Sequence, residues 1–152
     1  MSTAVQPANT ALGEPGRYLT FRLDREVYGV PILNVREIIE MQEISPVPRA
    51  APSVRGVVNL RGRVLPVIDP KIRFGLDPVE PSELTVIIVL QPGDSKPFGV
   101  LVDEVLEVHR FDADAITDAP AGASDQQDAL AAFGKVRDQL VFLLDPTSLG
   151  PQ

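Results

Sequence analysis

Apolar and polar residues alternate with a period of two over much of the chain, which is typical of half-buried β-strands. In the first such stretch Leu19, Phe21 and Leu23 alternate with polar residues, and an apolar run resumes at 27–30. The polar pair at 24–25 between them suits the turn of a hairpin. We therefore predict a hairpin with one apolar face near the start of the chain.

The spacing changes after Pro31, whose fixed φ suits the first turn of a helix. Ile32, Val35 and Ile39 follow at helical intervals, so the sequence predicts a short helix that carries Val35. Residues 44–53 contain three prolines and are predicted to be extended, because a proline disfavours helix in the residue before it.

A second hairpin is predicted from apolar strands at 57–60 and 64–68, with Arg61 and Gly62 as its turn. Pro66 has no N–H to donate to a sheet ladder. Its strand is therefore expected to lie at a sheet edge or to carry a bulge there.

The pair Asp69 and Pro70 has the pattern of a helix N-cap followed by a first-turn proline. Gly75 is placed to end that short helix. The same Asp-Pro pair returns at 145–146, with Gly150 soon after it.

The second half of the chain repeats the order of elements found in the first. Strands are predicted at 84–90, which is expected to be buried on both faces, at 97–102, and in a hairpin of 131–136 with 140–144. The stretch 112–128 is rich in small and acidic residues and is predicted to be a solvent-exposed loop, with a short helix inside it as the alternative left open.

Two pairs of segments resemble each other. Residues 61–70 resemble residues 137–146, and residues 28–30 resemble residues 98–100. Because both likenesses occur in the same order, they favour two similar subdomains. Each half is too small to bury a good core alone, so the fold prediction is mostly β, with two small barrels that share an apolar interior.

Composition limits the class of protein. With 152 residues and 44% hydrophobic residues, the chain has the size and apolar content of one domain. Residues 1–16 are expected to be a disordered leader and residues 17–150 a single domain. The absence of cysteine excludes disulfides and thiolate metal sites, and no apolar run is long enough to span a bilayer. A cytoplasmic protein without membrane insertion is expected.

Charge is distributed unevenly along the chain. The net charge of -7 argues against a nucleic-acid partner. Residues 17–73 hold ten basic and six acidic residues, whereas residues 74–152 hold four basic and fourteen acidic ones. Two interpretations stay open: ordinary solvated faces, or a basic and an acidic side that dock partners of different charge.

No pattern of catalytic residues emerges from the sequence. Phosphate-binding and dinucleotide-binding glycine loops are absent, and the acidic residues at 112–114 lack the glycine and terminal Glu of a calcium loop. Glu104, Glu107 and His109 are interpreted as exposed residues of a strand rather than as a catalytic set. We therefore expect neither enzymatic activity nor a cofactor.

Four arginines, Arg49, Arg55, Arg61 and Arg63, lie among small and apolar residues. Arginine suits recognition of carboxylates, so these side chains are candidates for docking an acidic or amphipathic partner. The alternative is that they are ordinary exposed residues of hairpin turns.

Residues 56–69 read G-V-V-N-L-R-G-R-V-L-P-V-I-D, and together with the segments at 28–38, 98–105 and 140–145 they resemble the CheW family. The resemblance covers residues 17–149. It implies two intertwined five-stranded SH3-like barrels with a few short helices. It also implies a non-catalytic adaptor that couples chemoreceptors to the histidine kinase CheA.

In that family a groove between the subdomains receives the cytoplasmic tip of the receptor. The matching positions here are Val35, Gly56, Arg61, Thr85, Gly99 and Val102. Arg61 is expected either to pair with polar groups of the receptor or to brace the groove from within.

The resemblance also implies further partners, namely the regulatory domain of CheA and other CheW-like domains in arrays. Two alternatives remain at this stage: an adaptor of a twitching, gliding or non-motility system, and a small-ligand or enzyme domain that uses the groove. The sequence departs from the family at Pro70, where a Leu is usual, and in a shortened or absent C-terminal helix.

Overall fold

The computed structural model describes residues 14–119 and 129–151. Most of the predicted leader and residues 120–128 of the predicted loop therefore lie outside the described residues. The described part folds into eleven strands and two short helices. The strands are β1 (Gly16–Leu23), β2 (Glu26–Pro31), β3 (Val35–Glu40), β4 (Val54–Leu60), β5 (Arg63–Ile68), β6 (Val86–Leu90), β7 (Phe98–Val102), β8 (Glu104–Phe111), β9 (Ile116–Asp118), β10 (Leu130–Val136) and β11 (Gln139–Leu144). The helices are α1 (Pro70–Arg73) and α2 (Pro146–Leu149).

The strands form two sheets, which confirms the prediction of a mostly β protein with two β-subdomains. The first sheet has the order β8-β1-β2-β11-β10-β9, and the second has the order β3-β6-β7-β5-β4. The second sheet uses one continuous stretch of chain, whereas the first combines β1 and β2 with strands that follow β7. The two subdomains are intertwined because the chain leaves the first sheet after β2 and returns to it at β8.

The register shows that the two subdomains are built alike. In the second sheet β5 runs parallel to β7, with Val67 opposite Gly99. In the first sheet β11 runs parallel to β2, with Leu143 opposite Gly29. The sequence likenesses noted above therefore correspond to equivalent strands in the two sheets.

The first sheet contains a sixth strand that the sequence did not predict. Residues 113–115 form a single turn of 3-10 helix, and β9 then pairs with β10. Both elements lie in the stretch predicted to be a loop. Its small and acidic residues carry no alternating pattern, so the pairing with β10 decides the structure.

The helix predicted after Pro31 is wrong beyond its first turn. Only residues 32–34 form a turn of 3-10 helix, and Val35 has extended backbone with φ -88° and ψ 120°. Ile39 pairs with Ile87 across β3 and β6. Burial alternates residue by residue along β3, so the period is two and pairing in the sheet overrides the helical spacing.

Pro66 lies in an inner strand, so the prediction of an edge strand is wrong. β5 is flanked by β4 and β7, but its parallel pairing with β7 begins only at Val67. The missing N–H of Pro66 therefore interrupts no ladder on that side. The bulge lies in the neighbouring strand β4, where the register shifts between Val54 and Gly56.

Both Asp-Pro pairs begin short helices, which confirms the prediction at Asp69 and extends it to Asp145, where no helix was predicted. Asp69 accepts a hydrogen bond from the Lys71 amide at 3.0 Å, and Asp145 accepts one from the Thr147 amide at 3.0 Å. Gly75 follows α1 with φ +78°, a conformation that favours glycine.

The core is continuous between the sheets. One cluster of buried residues joins Leu19 and Leu144 of the first sheet to Ile88 and Val100 of the second. Strand β6 is buried on both faces as predicted, apart from the half-buried Val86 at its start. The two subdomains therefore share part of their apolar interior.

Candidate docking groove on the second sheet

The β4–β5 hairpin presents Arg61 to solvent. Arg61 and Gly62 have φ values of +53° and +85°, and left-handed backbone at both central positions is typical of a type I′ turn. The side chain of Asn59 stabilises this turn by accepting a hydrogen bond from the Gly62 amide at 2.9 Å. The Arg61 side chain is 70% exposed as a result.

Arg61 forms an ion pair with Glu37, at 2.5 Å between Nη2 and Oε2. Glu37 lies on β3 at one edge of the second sheet, whereas Arg61 follows β4 at the other edge. A contact between the two edges means that the sheet is curled into a barrel. The ion pair thus links the two edges of the barrel, and both expectations for Arg61, pairing with a receptor or bracing the groove, stay predictions.

Two neighbouring cavities beside this ion pair form the surface that we call the docking groove. The smaller cavity has a volume of about 230 Å³ and the larger about 490 Å³. They share Arg63, Leu65 and Pro97 as lining residues, so they adjoin each other. Val64, which also lines the larger cavity, is 64% exposed.

The docking groove is basic around an apolar floor. Its charged lining consists of Arg36, Arg61, Arg63 and Lys96 against one acidic residue, Glu37. Its apolar lining includes Leu60, Val64, Leu65, Pro97 and Phe98. This combination is suited to an amphipathic helix or segment that has an acidic face.

Arg55 does not belong to this exposed set, although the sequence grouped it with Arg61 and Arg63. Its guanidinium lies 2.8 Å from Asp69, a fully buried carboxylate, and also donates to the Val79 carbonyl at 3.2 Å. Asp69 accepts a further hydrogen bond from the Val79 amide at 2.9 Å. Arg55 therefore pins the segment after α1 to the barrel.

The six residues predicted for receptor binding do not form one exposed patch. Arg61 is exposed and Val35 is half-buried, while the side chains or Cα atoms of the other four are buried. These four are Gly56, Thr85, Gly99 and Val102. The four buried residues can affect a partner only through the shape of the barrel.

The predicted residues lie at different levels of the second sheet. Glu37, Val89, Gly99, Val67 and Gly56 form one row of neighbours across all five strands. The Arg61–Glu37 ion pair therefore lies at the edge of the row that contains both predicted glycines.

Val35 and Val102 lie at the two ends of β6. Val35 pairs with Leu90 and Val102 with Val86, so they are about 13 Å apart along the strand direction. Thr85 lies next to Val86 at the Val102 end, where its hydroxyl accepts a hydrogen bond from the Ser82 amide at 2.8 Å.

The glycines are required by close packing. A Cβ atom at Gly56 would lie 2.2 Å from the Ser45 carbonyl oxygen, and one at Gly99 would lie 2.6 Å from Cγ2 of Ile87. These distances are shorter than any normal contact, so both positions exclude a side chain unless the neighbours move.

Sequence reasoning missed Arg36 and Lys96 as members of the groove. Arg36 donates a hydrogen bond to the Gln91 side chain, which fixes it beside the turn between β6 and β7. Lys96 reaches the groove from that same turn. Neither residue is near Arg61 in sequence, so the cluster becomes visible only in the folded second sheet.

Residues considered for catalysis lie elsewhere. Glu104, Glu107 and His109 are on β8 of the first sheet, where His109 packs against Phe111 with ring centroids 4.7 Å apart. Within residues 14–119 and 129–151, no three His, Cys, Asp or Glu side chains form a group that could hold a metal. No helix in this part of the chain is long and apolar enough to cross a membrane.

The match to a known domain decides the family. The model of the CheW-like domain matches residues 17–151, which is most of the chain. The chain belongs to the CheW-like domain family. The resemblance seen in the sequence is therefore confirmed.

Individual relatives agree with this assignment. The chain is 32% identical over 146 residues to the chemotaxis protein CheW of Klebsiella aerogenes, covering 95% of this chain and 86% of that protein. It is 38% identical over 134 residues to the chemotaxis protein CheW of Rhizobium meliloti, covering 88% and 86% respectively.

A solved structure has the same fold. The scaffolding protein TtCheW from Thermoanaerobacter tengcongensis superposes with a TM-score of 0.79 at 29% identity, covering 86% of this chain and 88% of that one. The relatives of this CheW-like chain are thus named chemotaxis proteins or, for the solved structure, a scaffolding protein.

Proposed function

We propose that the protein is a cytoplasmic, non-catalytic adaptor that couples chemoreceptors to the histidine kinase CheA. The observation that carries the proposal is the CheW-like domain, which spans residues 17–151. The curated relatives named chemotaxis protein CheW and the scaffolding protein from Thermoanaerobacter tengcongensis support the same role.

In this proposal the docking groove receives the cytoplasmic tip of a receptor. Arg61 contacts the receptor directly, because its side chain is exposed at the rim. Val35 adds partly exposed apolar surface, whereas Gly56, Thr85, Gly99 and Val102 act by setting the shape of the second barrel. A CheA regulatory domain and other CheW-like domains are the remaining proposed partners.

The proposal is tested by titrating the protein against a CheA regulatory domain and against a receptor cytoplasmic fragment. We expect saturable binding to both partners. Arg61→Glu should weaken binding of the receptor fragment by about tenfold or more, since it reverses one charge at the rim of the groove.

Arg110→Glu is the matched control for this substitution. Arg110 is an exposed arginine that also has an acidic partner, Asp112, at 3.4 Å, but it lies on β8 of the other sheet. We expect receptor binding to be unchanged in this variant. The proposed function would be refuted if the unmodified protein bound neither partner. If both variants weakened binding of the receptor fragment equally, the assignment of that binding to the docking groove would be refuted.

A further inference from the structure

A cluster of five charged side chains lies where the two sheets meet, away from the docking groove. Its members are Arg22, Asp24, Lys71, Asp103 and Glu104. They come from the end of β1 and its turn, from helix α1, and from the junction between β7 and β8. The receptor-docking role proposed for the groove does not involve this cluster.

Lys71 is the centre of the cluster. Its side chain is only 6% exposed, and its Nζ atom lies 2.5 Å from Asp24 and 3.9 Å from Asp103. Lysine is almost never buried to this extent unless its charge is paired. Lys71 belongs to α1, which connects β5 to β6 of the second sheet, whereas Asp24 belongs to a turn of the first sheet. The ion pair therefore connects the two subdomains.

Asp103 marks the point where the chain passes from one sheet to the other. It is the single residue between β7 and β8. Its carboxylate accepts a hydrogen bond from the Asp24 amide at 2.8 Å, and its own amide donates to the Arg22 carbonyl at 3.1 Å. Arg22 also pairs with Glu104 at 3.2 Å, so this crossover is fixed by both backbone and charge.

The other crossover has no comparable cluster among the described residues. There the chain passes from β2 to β3 through residues 32–34, and the Gln91 amide donates to the Asn34 carbonyl at 2.8 Å. This crossover opens onto a cavity of about 560 Å³, which is also lined by Arg17 and Ser95. Arg17 and Arg22 are on the same strand, about 17 Å apart, so cavity and cluster lie at opposite ends of β1.

We propose that Lys71, with Asp24 and Asp103, is a latch that fixes the two subdomains relative to each other and so sets the width of the cavity at the other crossover. A buried ion pair adds little net stability, because the desolvation of both charges offsets their attraction. Its contribution here is a specific arrangement of two sheets whose shared core consists of non-directional apolar contacts.

The latch is tested with a pair of spin labels across the cavity. The sequence holds no cysteine, so Arg17→Cys with Ser95→Cys gives a single labelled pair in the full chain. We expect one narrow distance distribution in this background. Adding Lys71→Met should at least double its width, whereas Lys135→Met, which removes an exposed lysine on β10, should leave it unchanged.

Asp24→Asn is the second test variant, and it keeps the experiment decisive if Lys71→Met does not fold. Asparagine tolerates the φ of +56° at position 24 but carries no charge. This variant should broaden the distribution as Lys71→Met does, and the double variant should broaden it no further, because both changes break the same contact.

Unchanged distributions in both single variants would overturn the proposal, as would equal broadening by Lys135→Met. The measurement involves no partner protein. Its outcome is therefore independent of whether the chain couples receptors to a kinase.

Discussion

The two subdomains begin their short helices with the same pair of residues but surround them differently. Asp69 is fully buried and pairs with Arg55, while Asp145 caps its helix and lies only 3.3 Å from the Ser148 hydroxyl. The position equivalent to Arg55 in the first sheet is Ala131, next to the corresponding bulge in β10. The local sequence fixes the cap in both halves, whereas the buried ion pair is specific to the second subdomain.

Replacing each aspartate by alanine distinguishes the stability contributed by the helix cap from that contributed by the buried ion pair. Asp69→Ala should cost about 3–5 kcal/mol, because it leaves the Arg55 charge and the Val79 amide without their buried acceptor. Asp145→Ala should cost about 1 kcal/mol, the usual effect of losing an N-cap. Denaturant unfolding of both variants measures the difference. Equal losses would mean that the ion pair contributes nothing beyond the cap.

The equivalent glycines Gly99 and Gly29 provide the next comparison. A methyl group at Gly99 would meet Cγ2 of Ile87 at 2.6 Å, whereas at Gly29 it would meet Cδ2 of Leu143 at 3.2 Å. Gly99→Ala should therefore destabilise the fold by about 1–3 kcal/mol, and Gly29→Ala by less, since the end of a leucine side chain can move. Thermal unfolding distinguishes the two, and a larger effect at Gly29 would contradict the packing argument.

Raising the pH above 10 should destabilise the first sheet before the second. Burial raises the pKa of Tyr18 and of Tyr28 to about 12, with smaller contributions from Glu14 at Tyr18 and from Glu26 and Asp24 at Tyr28. The folded pKa values exceed the unfolded value of 10, so this contribution to stability is intact below pH 10 and is lost as the pH rises towards 12.

The melting temperature should therefore fall between pH 10 and pH 12, and hydrogen exchange should rise first in β1 and β2. Tyr28→Phe should reduce that pH dependence, because phenylalanine keeps the stacking against Phe21 and Phe74 without a titrating hydroxyl. An unaltered alkaline transition in this variant would mean that other groups cause it.

The smallest expected effect on stability concerns the hairpin tips. Arg61 and Arg137 both occupy left-handed turn positions, with φ values of +53° and +56°. Arg61→Glu should cost only about 0.2–1 kcal/mol, because an exposed ion pair contributes little. The reversed pair Arg61→Glu with Glu37→Arg should recover that loss. Circular dichroism that shows an unfolded Arg61→Glu protein would instead make the arginine a structural brace.

Local signals in the sequence were sufficient for the hairpins, the turns and the helix cap at Asp69. Gly62 next to Arg61 and the Asp69-Pro70 pair act within a few residues, so their structures follow from neighbouring chemistry. The strand at Val35 and the inner position of Pro66 could not be read in this way, since both depend on a distant strand, β6 or β7.

The candidate site was predicted less completely than the fold. Arg61 could be recognised from its motif, but its partner Glu37 lies across the barrel, and Arg36 and Lys96 join the groove only through the folded sheet. The burial of Gly56, Gly99 and Val102 is likewise a tertiary property. Spacing along the chain does not report which side chains a closed barrel turns inward.

The path of the chain through the two sheets has a consequence for its synthesis. Strands β3 to β7 follow one another, so every strand of the second sheet has been synthesised once Val102 has emerged from the ribosome. Strand β2 receives its parallel neighbour only when residues 141–143 appear, more than a hundred residues later. The β1–β2 hairpin is therefore synthesised first, but the sheet to which it belongs is completed only when β11 has been made.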